Sequence, residues 1–215
     1  MPSDHLKLYE SSGSPNSRRV RIFLAEKGIG VSRVPVDLGA KEQLSEEYAK
    51  INPRQVVPTL VLDDGTAIGE VPAILRYLEE THPNTPLLGS SPKEKALVTM
   101  WERRMELEGF AAVMETVRNK VPGLKGRAIA GAHAYEQIPA LVERGRQRIA
   151  DFYADLEVRL AAVPFVAGDS FGVADITAVV AVDFATKAVD IPIPEGNSTT
   201  RHWYEKIAAR PSFTA

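Results

Sequence analysis

The chain has 215 residues, 44% of them hydrophobic, which is enough for a sizeable buried core in one large domain or two small ones. A formal charge of −2 leaves no electrostatic footprint for DNA or RNA, so nucleic acid is not an expected partner. The absence of cysteine excludes a disulfide scaffold, a thiolate metal site and a cysteine nucleophile, so any thiol chemistry must arrive with a ligand.

Alternation in "HLKLY" (5–9) predicts a first strand. "PNSRRVRIFLAEKG" follows as a helix with Val20, Phe23, Leu24 and Lys27 at helical spacing and Gly28 as its stop. Between them lies "SSGSPN", a turn whose polar side chains can cap the helix, and whose free N–H donors can equally bind an anion. "VSRVPVDL" reads as a second strand, with Pro35 pointing to a sheet edge, and "KEQLSEEYAKIN" as a short helix or helical turn. "TLVLDD" and "TAIG" flank Asp64-Gly65, a strong hairpin signal. "EVPAILRYLEETHP" then puts Val71, Ile74, Leu75 and Leu78 on one helical face and stops at Pro83. The order is βαβαββα, and residues 1–82 are expected to form an α/β domain.

Residues 83–92, "PNTPLLGSSP", have no periodicity and read as a linker. Residues 93–215 carry almost no strand signal and are expected to form an all-helical domain. Leu97, Met100, Trp101, Met105, Val113, Met114 and Val117 mark one long amphipathic helix, bent near Gly109. A second helix begins near Tyr135, with Ile149, Phe152, Tyr153, Leu156 and Leu160 as its core stripe. "VADITAVVAVDFATKAV" is apolar on nearly every side and should be a buried central helix, and "TTRHWYEKIAARPSF" closes the chain as a short one. His5, His82, His133 and His202 are scattered without metal-ligand spacing, so no metal is expected. No run approaches a membrane span and "MPSDHLKLYE" lacks signal-peptide character, so a soluble cytoplasmic protein is expected.

Five pieces in this order, "SPNSRRVRIFLAEKG", "INPRQVVPTLVLDDG", "AIGEVPAILRYLEE", the Pro-rich linker and "FVAGDSFGVADI", resemble the cytosolic glutathione S-transferase family across essentially the whole chain. The resemblance implies a thioredoxin-like N-terminal domain that holds glutathione, a helical C-terminal domain that receives an electrophile, and a homodimer. It implies a cis peptide at Val57-Pro58, with the Val57 main chain pairing with the cysteinyl part of glutathione as one more strand. Glu70 and Val71 stand where the family usually has Glu-Ser. Glu70 would accept from the ligand ammonium and the Val71 N–H would meet the γ-glutamyl carboxylate at a helix N-terminus. Val71 cannot supply the family's hydroxyl, and Glu70 taken alone reads as a helix cap. Lys41, Gln43 and Gln55 lie in segments that contact the glycyl carboxylate and nearby backbone in similar proteins. In "GDSFGVAD", Gly172 stands where the family's capping box has Ser or Thr, so Asp175 is expected to serve folding rather than catalysis.

Ser14 resembles the catalytic serine of the theta and zeta classes, whose hydroxyl donates to the sulfur. "SPN" also resembles the Thr-Pro-Asn turn of bacterial Nu-class members, which makes Asn16 a second candidate. Ser17 is a third, with helix capping as its expected duty. Arg18 and Arg19 read as a solvated helix face, with one able to raise positive potential near the ligand. Arg104 and Glu108, on the long helix, are candidates for the electrophile pocket. Three functions remain open: conjugation of glutathione to electrophilic small molecules, glutathione-dependent disulfide or peroxide reduction without a protein cysteine, and a non-catalytic binding or scaffold role.

Overall fold

A computed structural model describes residues 6–215; His5, which opens the expected first strand, lies outside the described residues. The chain divides into two compact units. The first runs to Thr85 and takes in Ala130–His133 and Thr214–Ala215, while the second comprises Pro86–Ile129 and Ala134–Phe213.

The first unit follows the expected order: β1 (Lys7–Glu10), α1 (Pro15–Lys27), β2 (Ser32–Pro35), a 3₁₀ turn at Glu42–Leu44, α2 (Glu46–Ile51), β3 (Thr59–Val61), β4 (Ala67–Ile68) and α3 (Val71–Thr81). The sheet is ordered β2-β1-β3-β4, with β1 parallel to β2 and antiparallel to β3, which is the thioredoxin-like arrangement. Pro35 ends the edge strand β2, where a missing N–H breaks no central ladder. Alternation along β1 buries Leu8 and exposes Lys7. Glu10 is also buried, and Arg21 at 2.7 Å and the Arg33 Nε at 2.9 Å supply the partners that a carboxylate out of water requires.

Helix α1 buries Val20, Ile22, Phe23 and Leu24 and packs on α3, which buries Val71, Ile74, Leu75 and Leu78. Gly28 ends α1 in the left-handed region (φ 63°) and returns its N–H to the last carbonyls. Lys27, on the same apolar face, is buried along its stem and tied to Glu79 at 2.6 Å and to the Thr85 carbonyl at 3.1 Å.

The second unit holds α4 (Pro92–Arg104), α5 (Ala111–Lys120), α6 (Ala140–Ala162), α7 (Val173–Val189) and α8 (Ser198–Ala208). A capping box opens α4: Ser91 Oγ accepts from the Glu94 N–H, and Glu94 Oε2 accepts from the Ser91 N–H. Gly89 lets the chain fold back on this box, with φ 89° and room for no Cβ, since one would stand 2.7 Å from the Glu94 and Lys95 backbone. Gly89→Ala is therefore expected to lower unfolding free energy by about 1–3 kcal/mol in urea titrations, and an unchanged midpoint would contradict this packing.

The expected bend near Gly109 is a π-helical turn, Met105–Phe110, joining α4 to α5. A Cβ on Gly109 would meet the Phe152 ring at 2.6 Å, so α6 approaches closely at this turn. Leu97 and Met100, on the predicted apolar face of the long helix, are 39% and 47% exposed. Helix α6 starts at Ala140 rather than near Tyr135, because Pro139 disfavours helical backbone at Ile138 and the Ile138 N–H bonds to Asn119 Oδ1.

Helix α7 is buried on nearly all sides, as its composition predicts. Asp175 accepts from the main-chain N–H groups of Val166 (2.9 Å) and Gly172 (3.0 Å) and from Trp203 Nε1 (3.0 Å). Gly172 has no side chain because the Leu87 carbonyl fills that space, 2.8 Å from where a Cβ would be, and itself accepts from the Val173 N–H. Among the described residues no helix is long and apolar enough to cross a membrane, and no group of His, Asp and Glu could hold a metal ion.

Candidate functional site

Strand direction brings the predicted segments of the first unit together. Tyr9 in β1 is paired with Thr59 in β3, so the turn after β1 and the segment before β3 lie at the same end of the sheet. Parallel β2 delivers residues 36–44 to that end, and antiparallel β4 delivers Glu70 and Val71. Ser14, Asn16, Lys41, Gln43, Gln55, Val57, Pro58, Glu70 and Val71 are all carried by these four segments.

Ser14 is the N-cap of α1, buried, with Oγ accepting from the Ser17 N–H at 3.2 Å. Ser17 does not cap; its own Oγ accepts from the Ser11 N–H at 3.3 Å and closes the turn. Asn16 is half-buried, and its Oδ1 accepts from Arg19 Nη1 at 3.1 Å. Arg19 is fully buried, which corrects the expectation of a solvated face.

The peptide between Val57 and Pro58 is cis, as the resemblance implied, and the Val57 main chain makes no hydrogen bond among the described residues. The neighbouring Val56 carbonyl is held by three donors: Tyr48 OH at 2.7 Å, Asn52 Nδ2 at 3.1 Å and Thr59 Oγ1 at 3.2 Å. Burial pushes the Tyr48 hydroxyl up, so it stays a protonated donor. Gln43 is buried with its Oε1 unpartnered, whereas Lys41 is exposed. Gln55 Nε2 donates to the Leu44 carbonyl at 3.4 Å, and the Arg54 guanidinium lies 3.8 Å from the Glu70 carboxylate. Val71 is buried as the first residue of α3, where an N–H has no partner inside the helix.

Lys41 (φ 60°), Gln55 (φ 55°) and Glu70 (φ 61°) have left-handed φ without being glycine. Such residues cost about 1–3 kcal/mol each and concentrate at functional sites. Three nominated side chains thus carry the same backbone signature at one end of one sheet.

Arg104 and Glu108 belong to the second unit and pair with each other, Nε to Oε1 at 3.1 Å, with the Arg104 guanidinium over the Trp101 ring.

The family model described as glutathione S-transferase, N-terminal domain, matches residues 8–86, and that for the C-terminal domain matches residues 139–206. Glutathione S-transferase 2 of Saccharomyces cerevisiae is 33% identical over 223 residues, 95% of this chain and 86% of that protein. The chain belongs to the glutathione S-transferase family. A glutathione S-transferase domain-containing protein of Marinobacter aquaeolei VT8 has a solved structure that matches with a TM-score of 0.88 at 37% identity, over 96% of this chain and 98% of that one. The maleylacetoacetate isomerase of Rattus norvegicus is 46% identical over 95 residues, 43% of this chain and 44% of that protein.

In this glutathione S-transferase chain, sequence reasoning missed one group at the same sheet end and left another undecided between two neighbours. One is the Tyr48, Asn52 and Thr59 clamp on the Val56 carbonyl, assembled from α2, its C-cap and β3 and invisible to periodicity. The other is Arg19, for which a signal existed: it lies four residues before Phe23, on the apolar face of α1.

Proposed function

We propose that the protein is a serine-type glutathione transferase that conjugates the glutathione thiolate to electrophilic small molecules. The observation that carries this reading is the convergence of the nominated ligand segments, three of them with left-handed non-glycine backbone, beside the hydroxyl-capped N-terminus of α1.

The Glu70 carboxylate takes the ligand ammonium and the Val71 N–H takes the γ-glutamyl carboxylate. The Val57 main chain pairs with the cysteinyl unit, and Lys41, Gln43 and Gln55 serve the glycyl end. A free thiol titrates at about 8.5, and each unit of depression needs about 1.36 kcal/mol of preference for the anion. Ser14 Oγ accepts one bond from Ser17, which leaves its hydroxyl hydrogen to donate to sulfur, and the N-terminus of α1 adds to the stabilisation. Asn16 is the second polar group at the sulfur. The thiolate then forms a carbon–sulfur bond with the electrophile while the leaving group departs with its electron pair.

In this reading residues 1–82 hold glutathione, 83–92 link the domains, and 93–215 supply the electrophile site, with Arg104 and Glu108 among its residues. The protein works as a cytoplasmic homodimer in detoxification, and the exposed Leu97 and Met100 of α4 are apolar side chains suited to a subunit contact. The test is retention on immobilised glutathione followed by turnover of an aryl halide and of hydroxyethyl disulfide. Retention with aryl-halide conjugation is expected. Turnover of the disulfide alone would favour the reductase, and absence of both binding and turnover would favour a scaffold.

A further inference from the structure

We propose that Arg19 is a positioning residue that acts through Asn16, aiming the Asn16 amide N–H groups at the ligand sulfur and strengthening them as donors. The proposal rests on the reading of this turn as the sulfur site. A guanidinium carries five donors and no acceptor, so the Asn16 atom facing Arg19 at 3.1 Å must be its carbonyl oxygen. Nδ2 and its two hydrogens are thereby turned away from Arg19, and Nδ2 donates to no group among the described residues. An asparagine at this place would otherwise be free to flip and present its oxygen, which repels a thiolate. Arg19 removes that choice.

Arg19 suits the task because of where it is held. It is fully buried one helical turn beyond Asn16, and it makes further contacts besides this one. Its charge, withdrawing electron density from the amide oxygen in a water-poor setting, makes the Nδ2 hydrogens better donors. Positive charge is thus passed to the sulfur by a hydrogen bond, without a direct ion pair. Arg21, two residues on, is differently committed: it pairs with Glu10 at 2.7 Å and bonds the Ser11 and Ser12 carbonyls at 3.3 and 3.4 Å. One arginine shapes the loop before the site, and the other orients a donor within it.

The experiment is an ultraviolet titration of the bound glutathione thiol in the wild type, Arg19→Lys, Asn16→Ala and the double variant, with Asn16→Asp as the fold-preserving probe. Arg19→Lys is expected to raise the bound thiol pKa by about one unit, about tenfold less thiolate below that pKa, in the Asn16 background and to add nothing in the Asn16→Ala background. Asn16→Asp keeps Arg19 paired but puts an acceptor where the donors stood, so it should raise the pKa further than Asn16→Ala. Should Arg19→Lys fail to fold, Arg19→Gln, which can still donate to Asn16 Oδ1 but lacks the charge, takes its place in the same comparison with and without Asn16. Equal shifts from Arg19→Lys with and without Asn16, or an unmoved thiol in Asn16→Asp, would overturn the proposal while wild-type binding and a depressed thiol pKa leave the transferase reading standing. A wild type that binds no glutathione would overturn both.

Discussion

Ser14→Ala is expected to lower kcat/KM with an aryl halide by about 10- to 150-fold, the equivalent of one hydrogen bond to a charged group of about 1.5–3 kcal/mol. The serine has one job in the structure and a second in the proposed function. Its oxygen caps α1 by accepting from the Ser17 N–H at 3.2 Å, and its hydroxyl hydrogen is the proposed donor to the sulfur. The alanine variant loses both, so a stability loss of about 1 kcal/mol accompanies the kinetic effect. Two further variants separate the jobs. Ser14→Thr keeps cap and donor and should retain most activity. Ser14→Asp keeps the cap but sets a carboxylate against the thiolate, so its unfolding midpoint should stay near that of the wild type while turnover collapses. Undiminished turnover in Ser14→Ala would move the sulfur contact to Asn16.

Asp175→Ala should cost about 3–5 kcal/mol of stability in urea unfolding, a large part of the roughly 5–15 kcal/mol that holds a domain together. Three buried donors, from Val166, Gly172 and Trp203, lose their acceptor at once, and each orphan costs about 1–3 kcal/mol. Burial pushes the Asp175 carboxyl up to about 6, against the downward pull of those hydrogen bonds. The folded state therefore holds this proton more tightly than the unfolded chain does. Asp175's contribution to stability should fall as pH rises from about 4 to about 6 and stay level above that. Asp175→Asn keeps the shape and one acceptor and has no proton to lose, so the contribution from position 175 should be flat across that window. A wild-type profile indistinguishable from that of Asp175→Asn would contradict the assignment.

What could be read from the residues follows from how local each signal is. Apolarity on nearly every side of 173–189 marked a buried helix, and Pro35 marked an edge strand, because both depend only on neighbours in sequence. The start of α6 was misplaced because Tyr135 and Ile138 look helical until Pro139 is given its steric effect on the preceding residue. Gly172 looked like a damaged capping box. Only the approach of the Leu87 carbonyl, from a distant part of the chain, shows why no side chain fits there. At the site, Ser14 and Glu70 stood out by position. The left-handed backbone at Lys41, Gln55 and Glu70 did not, since none of them is a glycine and nothing in their identity announces it. Arg18 and Arg19 read alike as a solvated face with one of them able to face the ligand, and their adjacency does not say which; only the burial of Arg19 beside its partners separates them.

The end of the sheet bearing Ser14 and Asn16 is proposed to stabilise a thiolate. The most direct test is the pH titration of thiolate absorbance for glutathione bound to the wild-type protein. The expected apparent pKa is about one to two units below the ~8.5 of a free thiol, moving back up in Ser14→Ala. A bound thiol that titrates like the free one would contradict it.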